Sequence, residues 1–355
     1  MASPQEILEA LRAVPYPGYT RDIVSFGMVR DIEVASAGVT VILAPTTGDD
    51  EVIHQIATRV HAIVSAMKIG TVTIRVERPA HARTGPRGPR PIAGVRHVVA
   101  VASGKGGVGK STIATNLAVA LTEHLPEAAV GLMDADVYGP SVPLMLGIHQ
   151  RPHTREDRRI VPVTAHGLKV ISMGLFVDAR TPIIWRGPML TKLLGEFARN
   201  VEWGELDCLV LDLPPGTGDV QLTITQQIQL AGGVIVTTPQ DVALLDVQRG
   251  ITMFNQVGAP VIGVIENMSY HVCSGCGARA EIFGHGGGAR MAERFHVPFL
   301  GEIPLYRAVR AGADTGRPIV TAEPGHPVSV AIRDIARRIV DWLAATRTDE
   351  TAARA

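Results

Sequence analysis

Gly104-Lys105-Gly106-Gly107-Val108-Gly109-Lys110-Ser111 fits G-x-x-x-x-G-K-[ST] without a mismatch, the pattern of a nucleotide phosphate cradle. Its flanks decide what it sits on. Val98-Val99-Ala100-Val101-Ala102 is a short apolar run suited to a buried parallel strand, and Ile113, Leu117 and Leu121 recur afterwards at helical spacing. Strand, glycine-rich loop and helix start therefore follow in the order a phosphate site needs. Successive glycines let backbone N–H groups turn inward around an anion, and the helix N-terminus adds unpaired donors and positive dipole. In that arrangement Lys110 neutralises the β- and γ-phosphates and the Ser111 hydroxyl ligates the bridging Mg²⁺. Gly104, Gly106, Gly107, Val108, Gly109 and Thr112 make up the rest of the expected cradle.

At 355 residues the chain can bury one large core and a smaller one. Helical and strand patterns alternate throughout, which predicts an α/β fold. Formal net charge is zero and aromatics make up 4%, so neither the electrostatic footprint nor the stacking platforms of a dedicated nucleic-acid binder are present. Three cysteines, Cys208, Cys273 and Cys276, are too few and odd in number for a secreted disulfide framework, and a reducing cytoplasm fits better. No apolar stretch reaches the roughly 20 residues of a membrane helix, and the N-terminus does not read as a signal peptide.

Ser3-Pro4-Gln5-Glu6 reads as an N-cap, a first-turn proline and a capping-box glutamate, followed by Ile7, Leu8, Leu11 and Val14 on one helix face. Strands are expected over Val24–Val34 and Val39–Leu43, a helix over Val52–Val64 and an alternating strand over Thr71–Val76. Residues 1–77 thus form an αββαβ unit. Residues 78–94, with four prolines among arginines, have linker composition. A nucleotide domain is expected over 95–345 and a polar tail over 346–355.

Inside that domain, Ala129–Met133 is a buried strand that delivers Asp134 and Asp136 at its C-terminal edge, where open α/β sheets bind ligands. One carboxylate can hold a Mg²⁺-bound water and the other can orient the attacking water, the alternative for Asp134 being a cap on the following turn. Residues 150–165, charged and proline-punctuated, read as an excursion from the sheet. Cys208-Leu209-Val210-Leu211-Asp212 is a buried strand ending in a second Mg²⁺-holding carboxylate, with Cys208 as a small interior hydrophobe. Leu213-Pro214-Pro215-Gly216 follows, and Gly216 can bring a backbone N–H against a γ-phosphate. Asp241 reads as a helix N-cap. Asn267, after the strand Val261–Ile265, offers the donor and acceptor that an adenine edge requires. The stripe Val328, Ile332, Ile335, Ile339 and Leu343 marks a terminal helix that docks on the core rather than on a membrane.

Cys273-Ser274-Gly275-Cys276-Gly277 supplies two thiolates at C-x-x-C spacing, whereas a tetrahedral or cubane site needs four ligands. The spacing leaves several occupants open: a cluster shared by two copies, a zinc knuckle completed by His271 and His285, a dithiol pair, or no ligand at all.

The loop G-K-G-G-x-G-K-[ST] resembles the deviant Walker A motif of the ParA, MinD and nitrogenase iron-protein class. In that class the lysine at the position of Lys105 reaches the nucleotide across a face-to-face dimer, so the resemblance implies an ATP-linked homodimer. Asp134-Ala135-Asp136-Val137-Tyr138-Gly139-Pro140 and Asp212-Leu213-Pro214-Pro215-Gly216-Thr217-Gly218-Asp219 are similar to stretches of the Mrp/ApbC iron–sulfur carrier family, as are Trp185-Arg186-Gly187 and Phe283–Gly288. The family likeness implies Asp136 in hydrolysis, Asn267 at the base, the last strand and turn Val297–Pro304 closing the adenine pocket, and a 4Fe–4S cluster bridged between protomers on Cys273 and Cys276. Asp22–Arg30 resembles the opening of the small domain of iron–sulfur assembly factors; where its members often carry a cysteine, this chain has Thr46–Asp50, so no ligand is assigned there. The expectation is a P-loop NTPase with a mainly parallel sheet flanked by helices, preceded by a small α+β domain. It would be a cytoplasmic ATPase delivering clusters to apo-proteins alongside assembly factors, without nucleic acid or stable membrane association; the alternative is a ParA/MinD-like regulatory ATPase switch with structural zinc at the C-x-x-C pair.

Overall fold

The computed structural model describes residues 3–15, 22–25, 27–35, 38–44, 50–67, 69–77, 88–125, 130–137, 139–176, 187–216 and 218–352. Thr46–Asp49, most of the proline-rich linker, Tyr138, Arg186 and Thr217 lie outside them. The chain divides into two compact units, Met1–Arg87 and Gly88–Ala355.

The first unit opens with α1 (Pro4–Leu11), which carries the expected capping box: Ser3 Oγ accepts from the Glu6 N–H, and Glu6 Oε2 accepts from the Ser3 N–H at 2.7 Å. β1 (Val29–Ala35) pairs antiparallel with β2 (Gly38–Leu43), and β3 (Thr71–Val76) returns parallel to β2 after α2 (Asp50–Ala66). Ile7, Leu11, Val41, Leu43, Ile56 and Val60 close the core. The first strand starts later than Val24, because the Asp22 carboxylate accepts both the N–H and the hydroxyl of Ser25 and holds a turn there.

The second unit is an eight-stranded sheet. Its nucleotide half contains β4 (Val95–Ala102), α3 (Lys110–His124), β5 (Val130–Asp134), α4 (Val142–Met145), the hairpin β6 (His153–Thr154) and β7 (Ile160–Val161), β8 (Val163–Ala165), β9 (Leu168–Ser172), α5 (Gly187–Asn200) and β10 (Leu206–Asp212). The remainder runs through α6 (Asp219–Gln227), β11 (Gly232–Thr237), α7 (Asp241–Gln256), β12 (Val261–Asn267), the short hairpin β13 (His271–Val272) and β14 (Arg279–Ala280), α8 (Gly287–Arg294) and β15 (Phe299–Ile303). It ends in α9 (Arg307–Asp314), α10 (Ile319–Ala322) and α11 (Pro327–Ala352).

Strand order is β15-β12-β11-β4-β10-β5-β9-β8, parallel except for β8. Residues 150–165 are thus no excursion: they fold as a hairpin and the antiparallel edge strand of the main sheet. The central strands are buried on both faces, which is why they read as unbroken apolar runs. α3 packs between the sheet and α11, whose Val328, Ile332, Ile335 and Ile339 are at most 2% exposed. Burying each such side chain is worth about 1.5–3 kcal/mol, so the stripe is committed to the core. The expected tail is mostly a continuation of this helix, to Ala352. No helix among the described residues is long and apolar enough to cross a membrane. Asp241 is the first residue of α7, whose N-cap is Gln240.

Candidate functional site

β4 ends at Ala102, and the loop from Ser103 to Gly109 turns into α3 through two glycines in the left-handed region, Gly107 (φ 84°) and Gly109 (φ 81°). A cavity of about 210 Å³ opens above the loop, lined by Lys105, Gly106, Gly107, Gly109, Lys110, Ser111, Thr112 and Asp136. Sequence reasoning missed four further lining residues, Ser103, Ser141, Met145 and Pro215. Gly104 and Val108 are not on this wall. A Cβ on Gly104 would overlap the Asp246 side chain of α7, so this glycine lets helix and loop touch. Val108 is buried, and its carbonyl accepts from Asn267 Nδ2 at 2.8 Å.

Parallel register brings the carboxylates together. β10 aligns Asp212 with Asp134 of β5, and β5 aligns Asp134 with Ser172 of β9. Lys110 Nζ donates to Asp212 Oδ1 at 2.6 Å and to Ser111 Oγ at 3.1 Å. This ion pair is buried, with the side chains 5% and 0% exposed. Burial pushes the Asp212 carboxyl up, against the pull of the Lys110 charge. Asp212 Oδ2 has no hydrogen-bond partner. An orphaned, fully buried carboxylate oxygen next to a serine hydroxyl suits a hard cation, so the donor set of Ser111 and Asp212 fits Mg²⁺.

Asp134 is different. Its Oδ2 accepts from Ser172 Oγ at 2.8 Å and its Oδ1 from the Asp136 N–H at 3.0 Å. Both oxygens are already engaged within the protein, Oδ1 at the start of the following turn, so Asp134 offers no unpartnered oxygen to a cation or its bound water. Burial, reinforced by the neighbouring Asp212 charge, pushes its carboxyl up to about 7. Asp136, 8% exposed, reaches the cavity wall itself. Gly216 takes φ 95°, but its N–H donates to the Ser103 carbonyl at 3.0 Å rather than facing the cavity.

A second cavity of about 300 Å³ adjoins the first through Gly109, Thr112 and Met145. Asn267 and Met268 form one side, and Ile303, Pro304, Leu305, Tyr306 and Arg310 another. One Nδ2 hydrogen of Asn267 is committed to the Val108 carbonyl, and its Oδ1 remains an acceptor of the kind an amino group on a base requires. Ile303 and Pro304 end the stretch Val297–Pro304 in which the family likeness implied the closure of an adenine pocket, and Leu305 and Tyr306 extend that wall.

Cys273 and Cys276 sit on the turn between β13 and β14, and both are exposed. The Cys273 N–H donates to Ala278 and the Gly277 N–H to the Cys273 carbonyl, each at 2.9 Å. Backbone N–H groups of Cys276 and Gly275 face the Cys273 sulfur and hold its thiol below the ordinary range. Cys208 is buried, and burial pushes its thiol up to about 12, as an interior hydrophobe should behave.

Among the described residues neither His271 nor His285 gathers with Cys273 and Cys276 into a metal-sized cluster. His271 Nδ1 bonds the Leu305 carbonyl at 2.9 Å, and His285 Nε2 lies 2.6 Å from Glu302 Oε2. His285, Glu302 and buried Glu266 are close enough together for a cation. Their oxygens already receive Ser269 Oγ, His285 and the N–H groups of Gly286 and Gly288. The family-like segment Phe283–Gly288 is pinned by those bonds at His285, Gly286 and Gly288 and runs into α8.

A family model described as NUBPL iron-transfer P-loop NTPase matches residues 94–340, and one described as iron-sulfur cluster assembly protein matches 4–76. An iron-sulfur cluster carrier protein of Deinococcus radiodurans is 45% identical over 97% of this chain and 97% of that protein. An Arabidopsis thaliana iron-sulfur protein required for NADH dehydrogenase, mitochondrial, is 50% identical over 70% of this chain and 80% of that one. Among solved structures, an Archaeoglobus fulgidus nucleotide-binding protein in complex with ADP superposes with a TM-score of 0.58 at 35% identity, covering 67% of this chain and 92% of that one. The Pyrococcus furiosus cell division ATPase MinD, at 20% identity and a TM-score of 0.53 over 69% and 99%, shares the fold. A family match over more than half of the chain, and a relative aligned nearly end to end, lead to one conclusion: this chain belongs to the NUBPL iron-transfer P-loop NTPases.

Proposed function

We propose that the protein is an ATP-hydrolysing carrier that holds a 4Fe–4S cluster between two copies of itself and passes it to apo-proteins. One observation carries this reading. Two exposed thiols, one held toward thiolate by backbone N–H groups, project from the unit that also contains the phosphate cavity. Two thiolates leave a cubane half-liganded, and a second copy about a twofold axis completes it. Naming of the Deinococcus relative as a cluster carrier supports the same cargo.

In the proposed cycle Lys110 leaves Asp212 for the β- and γ-phosphates, freeing the carboxylate. Ser111 and Asp212 then hold Mg²⁺, which would neutralise phosphate charge when bound. Asp136, oriented through its own N–H by Asp134, positions the attacking water; Lys105 reaches the phosphates of the partner protomer; Asn267 Oδ1 accepts from the adenine amino group. Residues 1–77 form a docking domain without a cluster ligand, 78–94 a linker and 95–345 the ATPase domain, working in the cytoplasm.

The test is transfer. Protein reconstituted with iron and sulfide is mixed with an apo-enzyme that needs a 4Fe–4S cluster, and activity of the acceptor is followed with ATP. Recovery by wild type but not by Cys276→Ala, slowed in Asp136→Asn, is expected. Equal recovery by Cys276→Ala would overturn the reading.

A further inference from the structure

The nucleotide cavity and the cysteine turn share a wall. Ile303, Leu305 and Tyr306 line the base-side cavity, and the same segment holds the hairpin that carries the cysteines. The Leu305 N–H donates to the Tyr270 carbonyl at 2.7 Å. His271 Nδ1 lies 2.9 Å from the Leu305 carbonyl; a carbonyl only accepts, so the ring carries its proton on Nδ1. The same ring meets Tyr306 with centroids 6.0 Å apart, and Tyr306 in turn meets the edge of His326 at 4.6 Å. On the other strand of the hairpin, Arg279 lies 3.7 Å over the Tyr270 ring and 3.8 Å from Glu302 at the end of β15. Upstream, Asn267 ties the end of β12 to the phosphate loop through the Val108 carbonyl. The short path to Cys273 therefore starts at a cavity-lining residue, Asn267, and is tied at His271 to another, Leu305.

Building on the carrier reading above, we propose that His271 is a positioning residue that makes the Cys273–Cys276 turn respond to what fills the base-side cavity. A base entering the cavity packs on Leu305 and Tyr306 and restricts both. His271, bonded to one and in tilted ring contact with the other, carries that restriction into β13, which leads directly to Cys273. The remaining hairpin anchor, Arg279 on Glu302, keeps β14 fixed, so the turn changes its presentation instead of swinging as a whole. Coupling of this kind is reciprocal: cargo on the cysteines alters nucleotide affinity by the same factor.

The test needs no cluster. Alkylation of Cys273 and Cys276 by iodoacetamide is followed by peptide mass spectrometry on the reduced, metal-free full chain, with and without saturating ATPγS. Buried Cys208 serves as the internal control. We expect ATPγS to change the wild-type rates by about fivefold or more, the lower end of typical coupling. His271→Ala should bring the ratio to one while leaving ATPγS affinity unchanged, and His271→Asn, which keeps a donor near the Nδ1 position, should restore it. A nucleotide-dependent rate that survives in His271→Ala overturns the proposal, as do wild-type rates unmoved by saturating ATPγS. Should His271→Ala fail to fold, Tyr306→Leu at saturating ATPγS must lower the ratio, and an unchanged ratio counts against the coupling. Iron analysis is read on separate samples, so a failed carrier reading would leave this thiol ratio standing on its own.

Discussion

The phosphate end of the site and the cysteine turn belong to one folding unit and are built on opposite terms. Lys110, Asp212 and Asp134 are buried: Lys110 pairs with Asp212 and Ser111, and Asp134 is held by Ser172 and the Asp136 N–H. Cys273 and Cys276 are exposed and organised only by the backbone of their own turn and the contacts beneath it. A charge network in low dielectric is part of what keeps the fold together, because removing one member strands the others. A turn of exposed thiols can gain or lose its ligand at little cost to the fold. The difference is what a reloadable cargo site next to a permanent nucleotide site requires.

The comparison breaks most visibly at Lys110. Lys110→Ala leaves the Asp212 carboxylate buried without its counter-charge, which should destabilise the protein by about 3–5 kcal/mol and abolish nucleotide binding. Urea unfolding and titration with a fluorescent nucleotide measure both. A loss below about 1 kcal/mol, the range of surface pairs, would contradict the network.

Protonation sharpens the contrast next. Asp134 keeps its proton up to about 7 when folded and only to its ordinary 3.8 when unfolded. Between those values the folded state binds the extra proton, so stability falls as pH rises from about 4 to about 7. Asp134→Asn, neutral throughout, should flatten that part of the nucleotide-free Tm profile. A profile with an unchanged slope would count against the burial argument.

Gly104→Ala probes packing without touching charge. The added methyl collides with Asp246, and overpacking of this kind costs about 1–3 kcal/mol. Because the loop must shift, nucleotide affinity should fall along with Tm; affinity preserved at wild-type level would show that the loop and α7 are independent. Smallest of all is Cys273→Ala. Its effect on stability should lie within about 0.5 kcal/mol, while iron binding disappears.

Much of the phosphate end was legible because its chemistry is local in sequence: the glycines, Lys110 and Ser111 are contiguous, and Asp212 ends an obvious buried strand. Asp134 was misread because its partner, Ser172, comes from β9, and only the parallel register of three strands reveals that both oxygens are occupied. Gly104 and Gly216 were taken as phosphate contacts because sequence shows a glycine's freedom but not which neighbour uses it. At the base-side wall the family-like stretch Val297–Pro304 pointed to the pocket, whereas Leu305 and Tyr306 just beyond it carry no motif of their own. Residues 150–165 hid a hairpin and an edge strand because elements of two or three residues carry no periodicity to read. In the small domain the capping box was plain, since its two partners are three residues apart.

The most direct test of the shared-cluster claim is iron and acid-labile sulfide content, measured with molar mass by light scattering after anaerobic reconstitution. The account predicts a dimer with about two iron and two sulfide per chain, which is one 4Fe–4S cluster on four thiolates, and none in Cys273→Ala. Stoichiometric zinc in each chain, or a monomer that holds iron without the cysteines, would contradict it.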